Sequence, residues 1–86
     1  EVAWAELRFT PERARWVERE QWHLDQQAQH DADGSYVLKV PYSDERELLG
    51  DILRHGPEVE VIAPPALRQS VQKAIAQAFK KYNSYK

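Results

Sequence analysis

The stretch from Gly56 to Arg68 constrains the fold most, because it contains a helix end, a short strand and a helix start. Gly56 can adopt the left-handed conformation that closes a helix, and Pro57 prevents the helix from continuing. Apolar and acidic residues then alternate, which predicts a strand. Pro65 suits the first turn of the next helix. This order of elements indicates a small domain of mixed α and β structure.

Two hydrophobic periodicities run through the rest of the chain. Apolar residues at every second position predict strands, and apolar residues three and four apart predict helices. Turn residues from His30 to Gly34 join the second and third strands as a hairpin. The predicted elements are a strand over Val2 to Phe9, a helix from Thr10-Pro11 to about Arg19, strands over Gln21 to Gln29 and Ser35 to Val40, a helix opening at Ser43-Asp44 and closing at Gly56, a strand over Glu58 to Ile62 and a helix from Pro65 to Tyr82.

The last helix has the clearest pattern. Its apolar residues recur at helical spacing with polar residues opposite, so we expect one face to be buried. The members of that face are Leu67, Val71, Ala74, Ile75, Ala78, Phe79 and Tyr82. Residues Asn83 to Lys86 are expected to fray. His55 is expected to interact with the carbonyls at the end of its helix.

The order of elements predicts a ferredoxin-like fold of the α+β class. A split β-α-β-β-α-β arrangement gives a four-stranded antiparallel sheet, two helices packed on one face and an added C-terminal helix. The first and third strands are central in this topology. The residues in the middle of the open sheet face are then Trp4, Arg8, Val37 and Lys39. Such a face needs cover from the last helix, another domain or a second copy.

Length and composition indicate one domain, residues 1–86, cut from a longer protein. A chain of this size supports a single small core. It begins with Glu1 and contains no methionine, which is not how a translated chain starts. The absence of cysteine excludes disulfides and thiolate metal sites and favours the cytoplasm. No apolar run approaches the length of a membrane span, so no membrane contact is expected.

Candidate catalytic and metal-binding groups are sparse. Four possible metal ligands lie close in sequence: His23, Asp25, His30 and Asp31. The last two fall in or near the turn, so a solvated hairpin is favoured and no metal is expected. The serines occupy turns, caps or a helix surface, and no phosphate-binding glycine loop occurs. We therefore expect neither an enzyme nor a bound cofactor.

Arginine and tryptophan concentrate near the start of the chain. These residues are Trp4, Arg8, Arg13, Arg15, Trp16 and Arg19. Together such side chains can grip phosphate and stack on bases. The interleaved Glu12, Glu18 and Glu20 also fit a solvated helix without a ligand. The third strand lacks the outward aromatics of an RNA-recognition motif, because Tyr36 points inward. With a net charge of −2, any nucleic-acid contact needs a local patch.

Four segments carry a resemblance to a known family. They are Ala5 to Phe9 with Arg13 to Val17, Gln21 to His23 with Asp33 to Val40, Glu47 to Gly56, and Val59-Glu60-Val61-Ile62-Ala63-Pro64-Pro65-Ala66-Leu67-Arg68. In order and spacing they resemble the WCX domain, the C-terminal extension of bacterial WYL-domain transcriptional regulators. The last segment is the most specific of the four.

The resemblance implies a regulator with an N-terminal winged helix-turn-helix, a central WYL domain and this extension. In such a protein the extension is a non-catalytic effector-sensing and dimerisation module. Promoter DNA is then bound by the missing N-terminal domain, the full-length protein forms a homodimer, and the suspected effector is single-stranded nucleic acid or a nucleotide. The tripeptide Trp-Tyr-Leu is absent, so the ligand contacts of the WYL domain do not carry over.

The expected site residues are Arg8, Arg13 and Arg15 for an anionic effector, and Trp4 and Trp16 for stacking or interface packing. Glu58 and Glu60 on the last strand discourage phosphate binding on that side of the sheet. Two alternatives stay open. One is a purely structural dimerisation module whose open sheet face pairs with its twin, and the other is a small-molecule-binding regulatory domain.

Overall fold

The computed structural model describes residues 2 to 83, which form a four-stranded antiparallel sheet and three α-helices. The elements are β1 (Ala3–Phe9), α1 (Pro11–Val17), β2 (Gln27–His30), β3 (Tyr36–Tyr42), α2 (Glu45–Arg54), β4 (Val59–Ala63) and α3 (Pro65–Asn83). A 3-10 turn over Gly56–Glu58 joins α2 to β4. The predicted α+β class is confirmed. Asn83 is still helical, and the rest of the end expected to fray, residues 84 to 86, lies outside the described residues.

Most local signals act where the sequence predicts. The Thr10 hydroxyl oxygen accepts a hydrogen bond from the Arg13 backbone N–H at 3.3 Å and so caps α1. Gly34 in the hairpin turn has φ +92°, and Gly56 after α2 has φ +57°. Pro65 is the first residue of α3. These residues fix the ends of helices and strands independently of the core.

The two central strands of the sheet are β1 and β3, as predicted, because the strand order is β2-β3-β1-β4. Between β1 and β3, Trp4 lies opposite Pro41 and Glu6 lies opposite Lys39. β2 begins opposite Lys39, so the last three residues of β3 extend beyond it. That overhang leaves one end of β3 without a neighbouring strand on its outer side.

The core lies on one face of the sheet, and all three helices contribute to it. Its buried members are Ala5, Leu7, Phe9, Ala14, Val17, Tyr36, Leu38, Val40, Leu48, Ile52, Val61 and Leu67. The opposite face presents Trp4, Arg8 and Lys39, which are exposed. Val37 shares that face but is buried, with Arg8 and Gln29 as its cross-strand neighbours. No helix among residues 2 to 83 contributes a buried side chain to this open face.

The predicted strand over Gln21 to Gln29 is wrong in its first part, because pairing starts only at Gln27. The amide oxygen of Gln26 accepts hydrogen bonds from the backbone N–H groups of Trp22 at 2.6 Å and His23 at 3.2 Å. Its amide nitrogen donates to the Glu20 carbonyl. These local bonds satisfy the backbone in a folded loop and replace the strand. Leu24, which lies in this loop, is 86% exposed.

The predicted burial of α3 is correct only for its first half. Leu67 is fully buried and Val71 packs against the core, whereas Ile75, Phe79 and Tyr82 are 54%, 63% and 85% exposed. The helix contacts β4 and α2 and then continues past them. Helical spacing predicts which side chains share a face, but here the domain is too small to cover the whole face.

Arg68 fastens the start of α3 to β4. Its Nη1 donates to the Val61 carbonyl at 2.6 Å and lies 3.0 Å from the Glu60 carboxylate. β4 ends the sheet, with β1 as its one neighbouring strand. The bond therefore satisfies a carbonyl of an edge strand with a side chain.

The predicted interaction of His55 with the carbonyls at the end of α2 is made by its backbone and not by its ring. As the C-cap of α2, its backbone N–H donates to the carbonyls of Ile52 and Leu53, whereas both ring nitrogens are buried without a hydrogen-bond partner among residues 2 to 83. The ring stacks on Trp22 at 5.9 Å and meets the ring of Phe9 edge to face at 5.2 Å. His55 thus serves as an aromatic part of the core beneath the loop that contains Trp22.

Candidate functional site

The predicted anion-contacting residues of α1 lie on the helix surface. The Cζ of Arg13 lies 6.0 Å from the ring centroid of Trp16, within the range of a cation–π contact. Trp16 is 59% exposed, and Arg15 is exposed on the same helix. This helix therefore presents two guanidinium groups and a free indole face to solvent.

Arg8 is separated from that helix by the sheet. Its side chain points to the open face, whereas Ala14 and Val17 attach α1 to the core on the other face. An Nη of Arg8 lies 3.4 Å from the Asp31 carboxylate, and Glu60 sits opposite Arg8 on β4. The predicted cluster of three arginines is thus divided into two places, and the charge of Arg8 is partly balanced by acids.

Trp4 lies in a different place again. It lines a half-open cavity of about 550 Å³ at the overhanging end of β3, between the loop that contains Trp22 and the face of α2. We call this cavity the acidic groove. Its aromatic members are Trp4, Trp22 and Tyr42, and its acidic members are Asp25, Asp44, Glu47 and Asp51. No lysine or arginine among residues 2 to 83 lines it.

The acids of the groove are only lightly neutralised. Asp44 accepts a hydrogen bond from the Arg46 backbone N–H at 3.0 Å, and the Arg46 Nε lies 3.4 Å away. These two hydrogen bonds lower the pKa of the Asp44 carboxyl below its usual value. Burial, together with Glu45, raises the pKa of the Tyr42 hydroxyl, which stays neutral. The groove therefore carries negative charge at neutral pH beside apolar walls.

The sequence contains a signal for this groove that residue-type motifs do not reveal. Asp44, Glu47 and Asp51 are three and four apart, so they share one side of α2. The contribution of Asp25 depends on the loop held by Gln26, which periodicity did not predict. Acids at helical spacing therefore indicate half of the groove, and only the folded loop supplies the rest.

A second unoccupied surface is the outer half of α3, residues 74 to 83, which we call distal α3. Ile75, Phe79 and Tyr82 lie three and four apart and are exposed. Lys80 and Lys81 lie in the last turn, and no acidic residue occurs anywhere in α3. Distal α3 is therefore a basic helix with an uncovered apolar stripe.

The histidines and nearby acids are engaged separately. His30 Nε2 lies 3.0 Å from the Glu18 carboxylate, and His23 Nδ1 accepts a hydrogen bond from the Asp25 backbone N–H. Within residues 2 to 83, no group of three or more such side chains is placed to hold a metal ion. In the same part of the chain, no helix combines the length and apolar character needed to cross a membrane.

The chain matches the family model of the WCX domain over residues 1–79, which is nearly its whole length. No curated protein matches it.

Proposed function

Because the chain belongs to the WCX domain family, we propose that it is a non-catalytic effector-sensing and dimerisation module of a DNA-binding transcriptional regulator. The family is a regulatory domain associated with WYL-domain regulators. The observation that carries the proposal is the contiguous apolar stripe on distal α3, since Ile75, Phe79 and Tyr82 lie three and four apart and are all more than half exposed. Exposed apolar surface of this kind is typical of partner or ligand contact.

We also infer a ferredoxin-like arrangement within the α+β class. The strand order β2-β3-β1-β4, with antiparallel neighbours and the helices on one face, supports it. α3 is then the addition to the split β-α-β-β-α-β unit. This arrangement leaves the second face of the sheet and distal α3 for contacts with other chains.

The effector-sensing part rests on α1. Arg13 over Trp16 places a positive charge beside an exposed ring, which suits a ligand with both phosphate and base. Arg15 adds a second guanidinium on the same helix. A nucleotide or short single-stranded nucleic acid is the effector class that this pair favours, and Arg8 offers a separate contact on the open sheet face.

Titration of the ¹⁵N-labelled chain with nucleotides and short single-stranded DNA tests the effector. We expect amide shifts concentrated at residues 11 to 17. We expect Arg13→Gln to weaken binding by about tenfold to a hundredfold, because a charge-assisted phosphate contact contributes about 1.5–3 kcal/mol. Arg46→Gln is the matched control, since Arg46 is exposed on a different helix.

If no ligand shifts the amide signals of α1, the proposed effector-sensing role is contradicted. The dimerisation role is then tested separately, by measuring the mass of the chain in solution. The purely structural dimerisation module is then the better description, and the exposed apolar side chains favour it as the second candidate. In a full-length regulator, promoter DNA would be bound by the N-terminal domain and the homodimer would form in part through this module.

A further inference from the structure

The acidic groove and distal α3 complement each other in charge and in shape. The groove combines four carboxylates with the aromatic side chains of Trp4, Trp22 and Tyr42, and no lysine or arginine of residues 2 to 83 lines it. Distal α3 has exposed apolar side chains beside Lys80 and Lys81, in a helix without acids. Although the net charge of the chain is only −2, negative charge collects beside the apolar walls of the groove and positive charge beside the apolar stripe of distal α3.

The two surfaces do not meet within one molecule. The groove is lined by β1, β3, α2 and the loop before β2, with no residue of α3 among residues 65 to 83. α3 is held at β4 by Arg68, which fixes where its outer half projects. Distal α3 can therefore occupy this groove only in a second copy of the chain.

We propose that distal α3 of one copy lies in the acidic groove of a second copy, with the same contact repeated in return. The inference rests on the dimerisation role proposed above and assigns the surface that performs it. Reciprocal contacts of this kind close a two-fold dimer, because each copy offers one helix and one groove. The closure doubles the buried area without requiring a second type of interface.

The groove suits an amphipathic helix better than an anionic effector. Ile75, Phe79 and Tyr82 are spaced as the anchors of a helix lying in a groove. The rings of Phe79 and Tyr82 would contact the aromatic walls, while the long side chains of Lys80 and Lys81 reach the carboxylates at the rim. Phosphate groups would be repelled by the same carboxylates.

Charge reversal of the two surfaces, alone and in mixture, tests the pairing. Lys80→Glu with Lys81→Glu reverses the charge of distal α3, and Glu47→Lys with Asp51→Lys reverses the charge on one side of the groove. All four residues are exposed, so circular dichroism should match the wild-type chain. Sedimentation of the 86-residue chain should show a dimer, and each double variant should raise its dissociation constant about tenfold or more. An equimolar mixture of the two variants should restore a heterodimer.

Lys39→Glu is the matched control, because Lys39 is exposed on the open sheet face, where a competing dimer would form. It should leave the dissociation constant unchanged. As a second readout, Gln77→Cys gives a single spin-label site, since the chain has no cysteine. This spin-labelled copy is made without ¹⁵N and mixed with a ¹⁵N-labelled copy of the wild-type chain. It should broaden the amide signals of residues 44 to 51 in the ¹⁵N-labelled copy.

A wild-type chain that stays monomeric at the highest concentration would overturn both this pairing and the dimerisation role. A wild-type dimer that tolerates both reversals, or that is weakened by Lys39→Glu, would overturn the pairing alone. Weakened variants that do not recover on mixing would also overturn it, because complementary charges predict recovery. The effector role of α1 is independent of all three outcomes.

Discussion

At the scale of single residues, His55 is the least conventional member of the core. It is 6% exposed, and neither ring nitrogen has a hydrogen-bond partner in the described part of the chain. Burial is the main cause of a lowered pKa, and the positive charges of Arg54 and Arg13 add to it. Glu20 and Asp51 oppose the shift in part. The ring therefore remains neutral in the folded chain, where it packs as an aromatic group.

This residue should make the stability of the chain depend on pH. Because the pKa of His55 is lower folded than unfolded, its contribution is complete above about pH 6.5 and is lost as the pH falls below that value. For this one group, the free energy of unfolding can change by at most about 1.4 kcal/mol per pH unit. Urea unfolding at pH 7.5 and pH 5 measures it.

His55→Phe is the comparison, since it keeps the stack on Trp22 and removes the titrating group. We expect its stability to change less over the same range. Asp33 and Asp44 also have lowered pKa values, from a usual 3.8, so their contributions are lost only at lower pH. Equal pH dependence in the two proteins would show that His55 is not responsible.

At the scale of elements, the loop before β2 depends on one side chain. Gln26 bonds to the backbone of Trp22, His23 and Glu20, and Trp22 in turn covers His55 and Phe9. The loop thereby serves both as a lid on the core and as one wall of the acidic groove. Removal of a single amide should disturb both.

Gln26→Ala should lower the free energy of unfolding by about 1–3 kcal/mol, because it leaves part-buried backbone groups without partners. The near-ultraviolet circular dichroism of Trp22 should weaken at the same time. Gln29→Ala is the matched control, since Gln29 is exposed on the paired part of β2. If the two variants are equally stable, the loop is held by Trp22 packing and not by Gln26.

Periodicity predicted elements well where the core decides them and less well where local bonds or unfilled surface decide them. β1 alternates and is buried on the predicted side, because Ala5, Leu7 and Phe9 all enter the core. Residues 21 to 26 also alternate, yet the Gln26 amide offers their backbone a better set of bonds. In α3 the apolar residues do share one side of the helix, but their spacing does not show whether another part of the domain covers them.

The candidate site shows the same limit. Proximity in sequence grouped Arg8 with Arg13 and Arg15. The sheet separates them, because Arg8 points to the open face and α1 packs on the core face. Trp4 was expected among the basic residues and lies in the acidic groove. Arg13 and Trp16 meet because they are three apart on one helix, which is a separation that sequence alone resolves.

At the scale of the whole molecule, charges are arranged by face. On the open sheet face Glu6 lies opposite Lys39 and Arg8 lies opposite Glu60, so neighbouring strands balance each other. α1 and distal α3 both have exposed basic side chains near exposed rings, without an acidic cross-strand neighbour. A negatively charged ligand should therefore prefer a helix to the sheet.

This arrangement predicts a dependence on ligand length. A mononucleotide at α1 is too small to reach Arg8 across the sheet, because a packed layer is about 10 Å thick. Arg13→Gln should weaken mononucleotide binding by about tenfold to a hundredfold, whereas Arg8→Gln should not change it. A longer single-stranded oligonucleotide could pass around the edge of the sheet and contact both arginines, so each of the two variants should weaken its binding. If Arg8→Gln alone weakens the mononucleotide, the effector binds the sheet and not α1.

The bond from Arg68 to the Val61 carbonyl also affects which contacts between copies the sheet edge would allow. A bare edge strand invites another strand to extend the sheet, and repeated addition builds fibres. Here a guanidinium group occupies a carbonyl of the edge strand, and α3 contacts that strand. At the opposite edge, β2 has only four residues. We therefore expect copies of this chain to associate through side chains, and to form an assembly of defined size instead of extending the sheet into a filament.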